Sequence, residues 1–464
     1  MADDTWSEWP FEEVIDFQEG PGILAKDFQE NGVPLVRLSG LDRGGSVLEG
    51  CNYLDPETVK KRWAHFALQQ GDILLSTSAS LGRIAVVGVD AIGAVAYTGI
   101  IRMRPRDGRL YAPFIRYLLE GPEFQQQAEI VGVGSVIRHF GPMHLRQMSV
   151  RLPPPSEQRA IAHILGTLDD KIELNRRMNE TLEAIARALF KSWFIDFDPV
   201  RRNAARDRNQ PSSAASRHPL PLGEGGGEGV IEGNTFDHLF PDSFEDSELG
   251  EIPKGWKVGR FGDVVEQHRD QENPLSSPDV LFHHYSLPAF DEGQKPKLEY
   301  GKDIKSLKSR VPAGTILLSK LNPEIERVWM VDVRPDERAV SSTEFLVLRA
   351  RPPFGRNYAY CLARSPIFRQ QIEGLVTGTS KSHQRAQVDS ILNIEVVIPP
   401  SPLIAAFDRF AAGLLERTFV CRREARTLAA QRDALLPKLI SGELRLKDLK
   451  PLMSAHGAWK AEVP

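Results

Sequence analysis

Cysteine is nearly absent. Cys51, Cys361 and Cys421 are the three in 464 residues, and they lie too far apart for any metal-ligand spacing. A zinc-stapled or disulfide-built domain is therefore not expected, and reduced thiols in a cytoplasmic protein are. Long apolar runs are also missing: no stretch approaches the roughly 18–20 uninterrupted apolar residues of a membrane span. The opening Met1-Ala2-Asp3-Asp4 is acidic and lacks the basic and then apolar start of a secretory signal. Nor is there an excess of positive charge. Lys and Arg number 58 against 62 Asp and Glu, a net charge of −4, whereas a simple DNA binder is usually strongly basic. This counts against nucleic acid as a partner without excluding it, because acidic residues on another face can hide a basic groove.

The short traces of common catalytic centres are missing as well. No Gly-Lys-Ser/Thr phosphate loop, His-Glu-x-x-His zinc motif or Gly-x-Ser-x-Gly elbow occurs. Arg351-Pro352-Pro353-Phe354 has the two prolines of an amino-methyltransferase motif, but Arg351 cannot accept a hydrogen bond from a target amine. The prolines read instead as a strand terminator. His283 and His284 are adjacent, and on a strand they would point to opposite faces and share no metal. No catalytic and no metal-ligating residue is assigned.

What the chain does contain is a repeat at an offset of about 245 residues. Each half opens on a tryptophan and a short amphipathic stretch, Trp9 to Ile15 and Trp256 to Val265. Each continues with a Gly-x-Ile-Leu-Leu-Ser strand, Gly71 to Ser76 and Gly314 to Ser319. A second apolar strand ends in basic residues and proline, at Ile100 to Pro105 and Phe345 to Pro352. A short helical segment follows, Phe114 to Leu119 and Tyr358 to Ala363, then a polar loop holding Gly134-Ser135 or Gly378-Thr379. Each half closes on a strand and prolines, Val150 to Pro155 and Val396 to Pro400.

After each proline run the apolar period turns helical. Ile161, Leu165, Leu168, Ile172, Asn175, Asn179, Leu182, Ala186, Leu189 and Trp193 alternate spacings of four and three. So do Phe407, Ala411, Leu414, Thr418, Cys421, Ala425, Leu428, Arg432, Leu435 and Leu439. Both are coiled-coil seams. Each helix would run about 40 residues, roughly 60 Å, and two helices of equal length most simply pack on each other. Polar seam residues weaken such a pair but fix its register; the alternative is that they are surface residues of an imperfect helix. Between the halves, Pro211 to Gly233 is rich in Ser, Pro, Gly and Glu and reads as flexible linker. Its glycine run, Gly223 to Gly229, has neither the preceding strand nor the ending of a phosphate loop.

Two variable domains each followed by a long helix, with Pro153-Pro154-Pro155-Ser156-Glu157-Gln158-Arg159 between, resemble the specificity subunits of type I restriction-modification systems. Ile161 to Asn175 and Ala188 to Val200 look like that family's central conserved region. Glu248 to Trp256 looks like its entry to a target recognition domain, and Leu435 to Leu444 like the close of its second helix. The second proline run departs, since Ser401-Pro402-Leu403 lacks the Glu-Gln pair. The resemblance implies an α+β chain: two similar mixed α/β target recognition domains, each followed by a long helix, the helices forming an antiparallel coiled coil. The expected divisions are 1–155, first recognition domain; 156–198, central helix; 199–245, flexible low-complexity linker; 246–400, second recognition domain; 401–447, C-terminal helix; 448–464, tail. It also implies a non-catalytic subunit that reads a bipartite double-stranded DNA target, one domain per half-site, with the helices setting the gap. Two modification subunits would bring S-adenosylmethionine, and two restriction subunits would add cleavage that uses ATP and Mg. The chain itself would hold no cofactor. Two other readings remain: a scaffold whose paired domains grip protein, and a self-contained modification enzyme.

If DNA is read, base edges call for Arg or Lys at guanine and Asn or Gln at adenine, and phosphates for cations and hydroxyls. Such groups gather in matching loops of both halves. After the Gly-x-Ile-Leu-Leu strand come Ser76, Thr77, Ser78, Ser80 and Arg83, and in the second half Lys320 and Asn322. Before the closing strand come Ser135, Arg138 and His139, and in the second half Thr379, Ser380, Lys381, His383, Gln384 and Arg385.

Overall fold

The computed structural model describes residues 6–41, 45–77, 82–132, 141–209, 236–376 and 384–445. They form two compact units, one of Met1–Arg176 with Arg423–Pro464, the other of Arg177–Arg422. This division differs from the expected one at the helices, because each long helix contributes one stretch to each unit. A bare helix buries its stripe against whatever it meets, so its two ends join different cores.

In the first unit, strands Ile15–Glu19, Ile100–Pro105, Ile73–Ser76 and Ile84–Val86 form an antiparallel sheet in that order. The second unit repeats it with Val265–Gln267, Phe345–Ala350, Ile316–Ser319 and Val328–Met330. The uninterrupted Ile-Leu-Leu runs follow from burial on both faces. Ile73 and Leu75 enter a core with the helix Ala112–Glu120, while Leu74 between them enters a different one with Val36 and Leu68. Ile316 and Leu318 likewise turn away from Leu317, as the two-residue period of a strand requires.

Each unit also has a second sheet of short strands. The first has Phe28–Gln29, Asn52–Leu54, Val33–Val36 and Val95–Ala96; the second has five strands, centred on Arg338–Ser341. The entry and exit strands of each domain pair antiparallel, Ser7–Pro10 with Ser149–Leu152 and Lys257–Arg260 with Glu395–Ile398. The duplication read from the sequence is thus a duplication of topology.

The long helices are Pro155–Phe194 and Ser401–Ser441. In the first unit Asp169 pairs with Arg432 at 2.8 Å and Glu157 with Arg445 at 3.0 Å. In the second, Cys421 Sγ lies 3.5 Å from Met178 Sδ, and Phe190 packs on Phe407 with ring centroids 5.4 Å apart. In each unit one helix's numbering rises as the other's falls, so the pairing is antiparallel. Asn175 and Thr418 are buried in the seam, and Arg432 is tied to Asp169, so these are not surface positions.

The expected flexible linker is partly ordered. Asp198–Asn209 is helical, with Val200 fully buried, and Asn203 Nδ2 donates to the carbonyls of Asp237 and Phe240. Trp193 packs edge-on against Phe236 and Phe240. A few widely spaced apolar residues anchor both ends of a polar segment, which composition averaged over a window conceals. The low-complexity stretch 210–235 lies outside the described residues. The C-terminal helix ends at Ser441 rather than 447, on Gly442 at φ 76°, a conformation suited to glycine.

Gln158 is fully buried. Its Oε1 accepts from the N–H of Tyr111 at 2.7 Å, and its Nε2 donates to the carbonyls of Arg109 and Pro153. It ties the first long helix to the start of helix Ala112–Glu120. The second half does the same without a Glu-Gln pair. Asp408 accepts from the N–H groups of Gly355 at 2.7 Å and Tyr358 at 3.1 Å, at the start of helix Arg356–Ala363. A Cβ on Gly355 would sit 2.2 Å from that carboxylate and would push it out of its position.

Burial raises the Asp408 pKa above its usual value, against the lowering effect of the backbone donors. A raised folded pKa means stability that is complete below the ordinary value near 4 and fades as pH rises through the folded value. Between about pH 4 and pH 7, wild type should therefore lose stability relative to Asp408→Asn. Denaturant midpoints across that range check it; a difference between the two proteins that does not vary with pH would contradict it.

Candidate nucleic-acid interface

The loop after Ile73–Ser76 is closed at its base by the strand end itself. The Ser76 N–H donates to the Arg83 carbonyl and the Arg83 N–H to Ser76 Oγ, both at 2.9 Å. Ser76 and Thr77 are both fully buried. They sit at the base of the loop, and the Thr77 N–H donates to the Gly99 carbonyl at 2.8 Å. Arg83 is half-buried at the foot of the loop. Ser78 and Ser80 lie outside the described residues, as do Ser135, Arg138 and His139 of the other loop in this unit.

In the second unit the two loops separated in sequence come together. Leu321 and Arg385 form an antiparallel bridge, the Asn322 N–H donates to the Gln384 carbonyl at 2.8 Å, and the Ala386 N–H to the Lys320 carbonyl at 3.0 Å. Lys320, Asn322, Gln384 and Arg385 thus share one small platform. Asn322 adopts φ 48°, a left-handed conformation that asparagine tolerates better than most residues. Its Oδ1 is buried with no partner among the described residues. Thr379, Ser380, Lys381 and His383 lie outside the described residues.

Glu344 belongs to the same platform and was not singled out from the sequence. Arg385 approaches it with two nitrogens, Nε at 3.1 Å and Nη2 at 2.7 Å, and the Lys320 N–H donates to its carbonyl. The pair is half-exposed and contributes little stability. The two contacts hold the Arg385 guanidinium in the plane of the Glu344 carboxylate. Glu344 precedes the apolar strand Phe345–Ala350, and an acid at a strand entry has no distinguishing signature in sequence.

His283 and His284 lie on strand Leu281–Tyr285 and face different acids, Glu337 at 3.7 Å and Glu299 at 2.7 Å. Burial lowers the His284 pKa, although Glu299 pulls it up. Among the described residues no three His, Cys, Asp or Glu side chains gather where a metal ion could be held, and no helix is long and apolar enough to cross a membrane.

Residues 3–184 match the family model described as the type I restriction modification DNA specificity domain. The type I restriction enzyme MjaIX specificity subunit of Methanocaldococcus jannaschii is 25% identical over 388 residues, covering 82% of this chain and 79% of that protein. The HindI specificity subunit of Haemophilus influenzae is 25% identical over 431 residues, covering 82% and 87%. Over these residues the chain is similar to the type I restriction-modification specificity subunits. The solved S subunit from M. genitalium has the same fold, with a TM-score of 0.52 at 13% identity, over 95% of this chain and 97% of that one.

A specificity subunit is a DNA-recognition component that acts within a complex, and the complex's cofactors belong to its other subunits. In that light the Glu157-Gln158 pair, carried by the family-like proline run, works inside the chain. Glu157 accepts from the Trp6 indole N–H at 3.3 Å and pairs with Arg445, while Gln158 anchors its helix.

Proposed function

We propose that this specificity subunit reads a bipartite double-stranded DNA target, with the globular part of each unit contacting one half-site and the helix pair fixing the unread gap. Two modification subunits bring S-adenosylmethionine and the base-methylating chemistry, and two restriction subunits add cleavage that depends on ATP and Mg. The observation that carries this is the duplication: the same four-stranded sheet, the same paired entry and exit strands and the same anchored helix occur twice in one chain. A reader built twice suits a target with two parts.

Single-molecule mapping of methylated bases in cells with and without the chain tests the reading. A split motif that disappears with the chain is the expected result. Methylation that persists unchanged would overturn it, and methyl transfer by the purified single chain would restore the self-contained enzyme. Within the second half-site, the platform of Lys320, Asn322, Gln384 and Arg385 is the proposed base-reading element. Replacing Lys320 and Gln384 together by alanine should weaken binding by the assembled complex by about 1–3 kcal/mol per lost base contact and relax the motif on one side. Unchanged affinity and motif would remove the platform from the interface.

A further inference from the structure

We infer that the basic turn Lys60-Lys61-Arg62, with His65, grips the phosphate backbone of DNA beside the half-site that the first unit reads. The inference rests on the proposed DNA reading and adds a contact surface to it. Val59–Trp63 is a single widened helical turn, and its first and last residues are buried at 6% and 8% exposure. They enter a core with Ile23, Leu35, Leu54 and Val95. Anchors four residues apart hold one side of the turn down, so the three residues between them project outward. Lys60, Lys61, Arg62 and His65 are all exposed.

Among the described residues this charge is only weakly offset, by Asp55 acting on Lys61 through space. No carboxylate among the described residues lies within ion-pairing distance of Lys60, Lys61 or Arg62. Asp55, one turn earlier, is occupied by the Thr58 N–H at 2.8 Å and the Thr58 hydroxyl at 2.6 Å. Glu57 sits three residues before Lys60 and four before Lys61, where a helical ion pair forms readily, yet it pairs with neither. Four arginines elsewhere in this unit are matched: Arg102 with Asp16, Arg104 with Asp72, Arg109 with Asp107 and Arg116 with Glu120. In a chain of net charge −4, three consecutive cations with no ion pair among the described residues repel one another at close range, and a polyanion relieves that repulsion.

The residue types suit phosphate. Lysine acts as a point charge on phosphate, and the turn carries no Asn or Gln to read adenine. Arg62 lies over the Trp63 ring at 5.2 Å and His65 against Phe66 at 4.2 Å, which holds both in place without using up their donors.

The test compares the assembled complex carrying wild-type chain, the K60Q/K61Q/R62Q variant and the charge-preserving K60R/K61R/R62K variant, on DNA bearing the methylated motif. Each lost phosphate contact lowers the slope of log affinity against log salt by about 0.9. The glutamine variant should therefore show a slope shallower by about 2–3, with the motif unchanged, and the charge-preserving variant the wild-type slope. An unchanged slope in the glutamine variant overturns the inference, as does failure of that variant alone to assemble, which would make the turn a protein contact. A changed motif overturns the assignment to phosphate. Absence of sequence-specific binding by the wild-type complex is a different result and sinks the DNA reading itself.

Discussion

Phe407→Ala should destabilise the second unit by about 3–5 kcal/mol, the cost of removing a large ring from a packed core. Phe407 is fully buried where the two long helices meet a domain helix. Its ring lies 5.4 Å from Phe190, 6.1 Å from Trp193, 5.3 Å from Phe194 and 6.2 Å from Tyr358, and three of these partners belong to the other long helix. Beyond the area buried, each edge-on aromatic pair adds roughly 0.5–1.5 kcal/mol. The loss is expected as a lower denaturant midpoint in the transition that reports Trp193. Phe407→Leu, which keeps most of the apolar volume, should lose less. If alanine shifts the midpoint by no more than about 0.5 kcal/mol, a value typical of surface substitutions, the cluster does not hold the helices together.

The second large effect is electrostatic. Glu183 accepts from Arg364 at 2.7 Å and from Arg422 at 2.5 Å, and all three side chains are largely buried, at 15%, 12% and 17% exposure. Arg364 also holds Glu326 at 2.5 Å, and Glu326 holds Arg187 at 3.2 Å. Burial alone would lower the Arg364 pKa, but Tyr360, Glu183 and Glu326 outweigh it and keep the guanidinium firmly charged. Glu183→Ala leaves two buried cations with one fewer counter-charge, and loss of one partner from a buried pair costs about 3–5 kcal/mol. Glu326 still serves Arg364, which places the expected loss near about 3 kcal/mol, the lower end of that range. A double-mutant cycle with Arg422→Ala separates the pair from the rest and should return a coupling of about 1–3 kcal/mol. A coupling near zero would mean that solvent screens the pair despite its burial.

The repeat, the central strands and both helical seams could be read from sequence because each rests on a local period. Leu74 and Leu317 are exceptions that prove legible for the same reason: an unbroken apolar run marks a strand buried on both faces, and the second sheet of each unit covers the other side. That second sheet was not foreseen, since strands of two to five residues are too short to show alternation. The burial of Ser76 and Thr77 was not legible, because a hydroxyl at a strand end serves a groove and a loop base equally well in sequence. Gln158 and Tyr111 are 47 residues apart, and the equivalence of Gln158 with Asp408 is one of position against a helix start, with no identity of residue type to reveal it. The same holds for Lys60-Lys61-Arg62. The charge run is plain in the sequence, but its lack of acidic partners is a fact of three dimensions.

Trp6 and Arg445 meet at Glu157, and Trp6 also packs within 3.3 Å of where a Cβ on Gly442 would lie. Residues 6 and 445 therefore lie close together in the first unit. What the fold depends on is the cyclic order of its parts: domain, helix, domain, helix. A polypeptide spliced from residue 445 back to residue 6 and opened between residues 210 and 235 would retain every pairing described in both units.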